Sequence, residues 1–228
     1  EYRFHTARRW RSDYYHEPTR TAIELEGGLY SAGRHTRAAG YLGVNIPESH
    51  GGGGLGISEL AMVSEELAAA GCPLLLLLVS PAICGTILAR FGTPAQQDTW
   101  LPGLATGKQK LVFAITEPDA GSNSHRIATV ARREGSEWVL SGTKYYISGV
   151  DEADAILVVA STPDVEGRPG LSLFLVDANA PGMTKTPIPM ELVAAERQFT
   201  LFFDGVRVPH ERLIGKPGHG LQQVFLGL

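Results

Sequence analysis

Two short stretches hold the residue types that could grip a flat ligand with a polar edge. The first is LVFAITEPDAGSNS, residues 111–124. A strand-like apolar run leads into Thr116-Glu117-Pro118 and then into Asp119-Ala120-Gly121-Ser122-Asn123. Gly121 has no side chain, so its backbone N–H can approach a ring closely. Thr116 and Ser122 supply hydroxyls that donate and accept. A ring edged with C=O and N–H groups needs that mixture. The same residues also fit a β-turn with polar caps. The second stretch is GTKYYISG, residues 142–149. Strand alternation puts Tyr145 and Tyr146 on opposite faces, with Ser148 on the side of Tyr146. A tyrosine face packs offset on a planar ligand, and Ser148 could hydrogen-bond the ligand's edge. One core tyrosine beside one surface tyrosine fits these residues too.

Other chemistries lack their residues. Ala120-Gly121-Ser122-Asn123 misses the second glycine of a GxSxG elbow. The run GGGGLG at 51–56 follows an apolar stretch and precedes a helix, as a phosphate cradle would. It has no Lys-Ser/Thr and no acidic residue where a dinucleotide motif places one. Glu65 and Glu66 are adjacent on a helix and do not share a face. Asp151-Glu152 is the other paired-carboxylate sequence. The seven histidines form no HxxxH or HExxH pair, so no metal site is expected. Net charge is −4, and the basic cluster Arg8, Arg9, Arg11 is short. A nucleic-acid footprint is therefore missing.

The elements that must position these stretches fall into three textures. To about residue 110 the chain reads as helical. Ser58 can cap a helix over ELAMVSEELAAAG, with Leu60, Val63, Leu67 and Ala70 on one face and Gly71 as its stop. Thr93-Pro94-Ala95-Gln96 is a capping box with proline at the first helical position; that helix should end near Gly107. Pro73 to Ala89 approaches the length of a membrane span, but Pro73, Ser80, Pro81 and Gly85 interrupt it. A buried helix or helix pair is expected. From Leu111, about seven short segments rich in β-branched and aromatic residues predict an antiparallel β sandwich or barrel. In FFDGVRVPHERLIGKPGHG, residues 202–220, Val206 and Val208 fit an edge strand ended by Pro209, followed by a turn and a linker. LQQVFLGL then opens a helix of about two turns, which cannot bury its face alone, so the chain reads as incomplete there. The expected fold is α+β: a helical domain over 1–110, a β domain over 111–216, and the start of a C-terminal helix over 217–228. Glycine reaches 27 of 228 residues, about 12% against an average of ~7%, in keeping with many tight turns. The N-terminus has no apolar signal region. Cys72 and Cys84 are read as buried free thiols of a reducing compartment, hence a cytoplasmic protein.

With these segments in order, the sequence resembles the acyl-CoA dehydrogenase family. GYLGVNIPESHGGGGLGISELAMVSEELA and ARFGTPAQQDTWLPGLATGK resemble its N-terminal helical domain. FAITEPDAGSN resembles its flavin loop, and WVLSGTKYYISG its flavin-stacking strand. LFFDGVRVPHERLIGKPGHG resembles the end of its middle β domain. The likeness covers about residues 40 to 228.

The resemblance implies FAD held between the β domain and a C-terminal helical domain, and α,β-dehydrogenation of an acyl-CoA thioester with hydride passing to flavin N5. It puts Phe113, Ile115 and Thr116 at the isoalloxazine edge. Gly121 and Ser122 go to the flavin phosphate, the ribityl or the pantetheine chain, so Ser122 is also a substrate contact. Tyr146 stands where tryptophan usually packs on the flavin, Ile147 follows it in the cofactor strand, and Ser148 stands where threonine usually lies near N5. The catalytic base, a glutamate of the C-terminal domain, has no match here; Glu117 is a loop residue of the flavin motif. This stretch alone is therefore expected to be inactive. The resemblance further implies an electron-transferring flavoprotein or similar acceptor, a homodimer, homotetramer or heteromer, and a place in fatty acid metabolism. Two alternatives keep the fold: a flavin oxidase or monooxygenase, and a non-catalytic partner subunit of a heteromeric dehydrogenase.

Overall fold

The computed structural model describes residues 2–5, 10–12, 14–16, 21–23, 41–69, 75–163, 166–191 and 196–227. In the first 23 residues the described backbone is extended. β1 (Tyr2–His5) pairs antiparallel with β2 (Trp10–Ser12), and β3 (Tyr14–His16) with β4 (Thr21–Ile23). Helix was expected there; the aromatic and β-branched residues of these segments favour strands.

α1 (Ile57–Ala69) buries Leu60, Val63 and Leu67, the expected face. Ala70, Gly71 and Cys72 lie outside the described residues. Ser58 is inside α1 rather than its cap. The Gly56 N–H donates to Glu59 Oε2 at 2.9 Å, so a carboxylate in the first turn reaches back to the helix start, where the dipole also favours it. α2 (Leu75–Phe91) is one helix that runs through Pro81 and Gly85. Burial of Cys84, Ile87 and Leu88 offsets the backbone hydrogen bond that Pro81 cannot make. A Cβ on Gly85 would collide with Ile46, so glycine lets the Ile46 loop lie against the helix. Burial pushes the Cys84 thiol far up from its ordinary range. Among the described residues, no helix is long and apolar enough to cross a membrane.

α3 (Pro94–Ala105) begins with the expected capping box. Thr93 N–H donates to Gln96 Oε1 at 2.8 Å, and Gln96 N–H to Thr93 Oγ1 at 3.3 Å. Gln96 also reaches across the chain: its Nε2 donates to the carbonyls of Glu211 at 2.6 Å and Leu213 at 2.9 Å.

The remaining strands are β5 (Leu111–Ala114), β6 (Val130–Glu134), β7 (Glu137–Ser148), β8 (Ala155–Pro163), β9 (Pro169–Asp177), β10 (Met183–Ile188), β11 (Gln198–Pro209) and β12 (Leu213–Ile214). They form one eight-stranded sheet in the order β10-β11-β7-β6-β8-β9-β12, with β5 on β8. The sheet is mixed, not purely antiparallel. β5 runs parallel to β8, from Leu111↔Ala155 to Ala114↔Val158, and β6 meets β8 through Val130↔Ser161. Val206 to Pro209 pair only with β7, as an edge segment does.

β8 explains the layering. Its residues Ala155–Ala160 are buried without a break, the pattern of a strand covered on both faces. Ala155, Leu157 and Val159 share a core with Ile87, Leu88, Leu101 and Leu104 of the helices. Ile156, Val158 and Ala160 share another with Trp138, Leu140, Leu201 and Phe203 of β7 and β11. Helices thus cover one face of β5-β8-β9, and the β7-β11 part of the sheet covers the other. After β12, the Gly218 N–H donates to Ser172 Oγ at 2.8 Å. The chain then enters α4 (Gly220–Gly227), which buries Gln223 and Val224.

Thr93→Ala removes one cap and should cost about 1 kcal/mol. Gln96→Ala removes the reciprocal cap and strands two carbonyls, so it should cost more, about 2–4 kcal/mol. Urea denaturation of both variants checks the order.

Candidate functional site

The two stretches singled out in the sequence meet beside the C-terminal end of β7. Tyr145 N–H donates to the Thr116 carbonyl at 2.9 Å, which joins the end of the 111–116 run to β7. Glu117 and Ala120 close the following loop with reciprocal backbone bonds of 3.0 and 3.2 Å. Gly121, Ser122 and Asn123 are exposed beyond that closure. A Cβ on Gly121 would meet nothing within 4 Å, so the space over its backbone is open.

A buried ion pair underlies this junction. Lys144 and Glu117 have side chains only 0% and 4% exposed, and Lys144 Nζ donates to Glu117 Oε1 at 2.8 Å. Lys144 Nζ also donates to the Ile115 carbonyl at 3.1 Å. The Glu117 carboxylate accepts from Ala128 N–H at 2.6 Å and Thr129 N–H at 3.0 Å. One carboxylate therefore ties the loop to β7 and to the entry of β6. Thr129 packs so closely on β7 that a Cβ at Gly142 would collide with it, and Gly142 holds φ 152°. Burial alone would push Glu117 up; the hydrogen bonds from Lys144 and Thr129, the Lys144 charge and the Ala128 N–H outweigh it and hold Glu117 below its usual range. Burial pulls Lys144 down to about 8, against the opposing pull of Glu117. At neutral pH the pair is ionised.

β7 breaks its alternation next to this pair. Ile147 pairs with Phe199 and Lys144 with Leu201, so Tyr145 and Tyr146 together face one residue of β11. This is a β-bulge. Tyr146 is the one non-glycine residue with positive φ, 55°, among the described residues. The two tyrosines are not on opposite faces, as simple alternation predicts. The bulge turns both away from the core, and their rings meet edge to face at 4.2 Å between centroids. Tyr146 is 52% exposed. Ser148, half-buried, donates its hydroxyl hydrogen to Gln198 Oε1 at 2.9 Å. Ile147 is buried in the core shared with β8, so only its backbone lies at the junction.

The structure thus joins Thr116 to β7 beside Tyr146 and fastens the Ile115 carbonyl to Lys144; Gly121 and Ser122 lie exposed in the loop that follows, and Ser148 lies two residues beyond Tyr146 on β7. Phe113 and Ile115 set their side chains against the helix-side core. Sequence reasoning missed Lys144 and Gln198 and took Glu117 for an ordinary loop residue. A signal for Lys144 was present: Trp138, Leu140 and Lys144 fall at even spacing, which aims the lysine inward. The glycine run 51–54 is not a phosphate cradle, because its four N–H groups donate to the carbonyls of Glu48, Pro47, Gly43 and Ile46.

Glu117→Gln leaves the Lys144 charge buried without its counter-charge, which should cost about 3–5 kcal/mol at neutral pH. The deficit should narrow on both sides of neutrality. Lys144 has a folded value near 8, below the ordinary ~10.4 of an unfolded chain. The unfolded state therefore binds more protons, and burying this lysine becomes easier as pH rises. The lowered Glu117 value contributes stability that is lost as pH falls below the usual carboxylate range. Denaturation midpoints of both proteins at about pH 3, 7 and 9, settings below the ordinary carboxylate value, at neutrality and above the folded Lys144 value of about 8, check this shape.

Comparison with known proteins agrees with the order of these elements. The profile of the acyl-CoA dehydrogenase N-terminal domain matches residues 6–108, and that of the acyl-CoA dehydrogenase middle domain matches residues 112–206. The chain is 55% identical over 190 residues to the acyl-CoA dehydrogenase fadE12 of Mycobacterium tuberculosis, covering 83% of this chain and 49% of that protein. It is 34% identical over 190 residues to the glutaryl-CoA dehydrogenase of Desulfococcus multivorans, covering 82% and 49%. The solved glutaryl-coenzyme A dehydrogenase in complex with glutaryl-CoA superposes with a TM-score of 0.77 at 32% identity, covering 86% of this chain and 51% of that one. A Mycobacterium smegmatis glutaryl-CoA dehydrogenase in complex with FADH2 superposes with a TM-score of 0.75 at 29% identity, covering 86% and 50%. The chain spans about half the length of the curated relatives it matches. By matched domains, sequence and fold, this chain belongs to the acyl-CoA dehydrogenase family.

Proposed function

We propose that the chain forms the flavin-facing part of an FAD-dependent acyl-CoA dehydrogenase that desaturates an acyl-CoA thioester between Cα and Cβ. The observation that carries the reading is Tyr146. Its ring stands half in solvent on a backbone conformation that aromatic residues avoid. Strain of this kind persists where the surrounding structure over-determines it, and it clusters at ligand sites. The open space over Gly121 and the exposed Ser122 beside it fit a large planar cofactor with a polar tail. FAD bound there would supply the hydride acceptor.

The chain's own residues then have separate tasks. Tyr146 offers a π face for stacking. Thr116 and Ser148 offer hydroxyls at the ring edge, and the half-buried Phe113 and Ile115 back that edge. Gly121 and Ser122 line the path of the phosphate or pantetheine chain, and the backbone of Ile147 holds the strand between its two neighbours. Glu117 is no candidate for the base, because Lys144 and two backbone N–H groups already claim its oxygens. The α proton goes to a group outside this set, as in the family's division of labour. The reading includes the domain limits 1–110, 111–216 and 217–228, a homo-oligomeric or heteromeric assembly, an electron-transferring flavoprotein as acceptor, and a role in cytoplasmic fatty acid metabolism.

The test is a visible spectrum of the protein made from the full reading frame that contains this chain, with identification of the cofactor released on denaturation. Released FAD and bleaching of a dye by an acyl-CoA are expected; a protein with neither overturns the reading. Tyr146→Ala should weaken FAD binding about two- to tenfold, the worth of one stacking contact, while Tyr146→Trp retains it. Tyr146→Gly should weaken it equally yet fold about 1 kcal/mol more stably than Tyr146→Ala, because glycine accepts the positive φ. Flavin titration and thermal melts separate the two effects.

A further inference from the structure

Gln198 touches the site but has no role in the reading above. It opens β11 directly opposite Ser148 in the β7 ladder, and its Oε1 takes the Ser148 hydroxyl hydrogen at 2.9 Å. A hydroxyl has one hydrogen to give and two lone pairs. With the hydrogen committed to Gln198, Ser148 has only acceptor capacity left for a ligand. Ser148 follows the strained Tyr146 by two residues, and the flavin reading above places its hydroxyl at the ring edge.

We infer that Gln198 is a positioning residue that fixes Ser148 as a hydrogen-bond acceptor toward the bound flavin, and so biases the site toward the reduced cofactor. The inference rests on the flavin reading and concerns residues of this chain alone. In an oxidised isoalloxazine ring N5 is an acceptor. After it has taken a hydride it carries a hydrogen and is a donor. An acceptor-only hydroxyl pairs with the second form and faces the first lone pair to lone pair. Arg197, next in the chain, does not compete for Ser148: it pairs with Asp151 and lies over the Phe199 ring at 5.9 Å.

Gln198→Met keeps the side-chain length and removes the acceptor oxygen. The freed Ser148 hydrogen can then turn to oxidised N5. The experiment uses the holoprotein from the full reading frame that contains this chain, and measures the reduction potential of bound FAD against a reference dye. Four forms are compared: wild type, Gln198→Met, Ser148→Ala and the double variant. Gln198→Met should make the potential more negative, with the affinity ratio of reduced to oxidised FAD falling about two- to tenfold, the range of one neutral hydrogen bond. In the Ser148→Ala background, Gln198→Met should change nothing, because the coupling runs through the hydroxyl. A wild-type potential in Gln198→Met overturns the inference, even if the melting temperature falls, since that is what a merely structural glutamine gives. The same shift in both backgrounds also overturns it. Gln198→Leu serves as the second variant if Gln198→Met does not fold, read by the same rule. A wild type that retains no FAD overturns the flavin reading and the inference together, whereas one that retains FAD with an unmoved variant overturns the inference alone.

Discussion

The Glu117–Lys144 pair is the contact on which the arrangement depends. Two opposite charges with almost no access to water gain little net stability over an apolar pair of the same shape, yet neither can be removed alone without a large loss. Their value here is geometric. The carboxylate takes three donors from two places in the sequence: the lysine of β7 and two adjacent backbone amides ahead of β6. The lysine adds a bond to the Ile115 carbonyl. Loop 117–123 is thereby fixed to the sheet at its base while Gly121, Ser122 and Asn123 stay exposed. The pair also sits immediately before the bulge, so the residue that carries the exposed ring stands two positions from a fully anchored one.

The two-sided burial of β8 supplies the platform for this corner. A strand with an apolar core on each face cannot slip by one residue without moving every side chain to the wrong core. Its parallel neighbour β5 is locked in register with it, and β5 delivers the chain to Thr116. Position is thus handed from the most buried strand, through a parallel pairing, to the most exposed functional loop. The parallel pairing needs a long connection. The chain makes that connection through β6 and β7, so the loop and the strand it binds belong to a single circuit of the fold.

Much of this was legible in the residues. The capping box at Thr93 and Gln96, the buried face of α1 and the run of short strands each rest on local rules, and local rules are what a sequence displays. The meeting of the 111–124 and 142–149 stretches was legible through their residue types and through the family resemblance. Other features follow from long-range packing. Pro81 sits inside a helix because the residues around it are buried on several sides. The tyrosines share one side because a bulge shifts β7 against β11, and nothing in YY announces a bulge. Gln198 entered no expectation, because a glutamine at the start of a strand is ordinary until its partner across the ladder is known. The ion pair joins positions 27 residues apart, and only the inward spacing of Lys144 hinted at it.

Gln96 shows how a helix and a sheet can be made to open together. Its one amide group closes the first turn of α3 and holds the carbonyls where β11 hands over to β12. Fraying of that turn would release the amide and expose the strand exit in the same event. The backbone hydrogens at the two places should therefore exchange with solvent as one cooperative unit. A single side chain makes the border between the helical and sheet layers a seam that parts all at once, and denies either layer a partial opening of its own at that point.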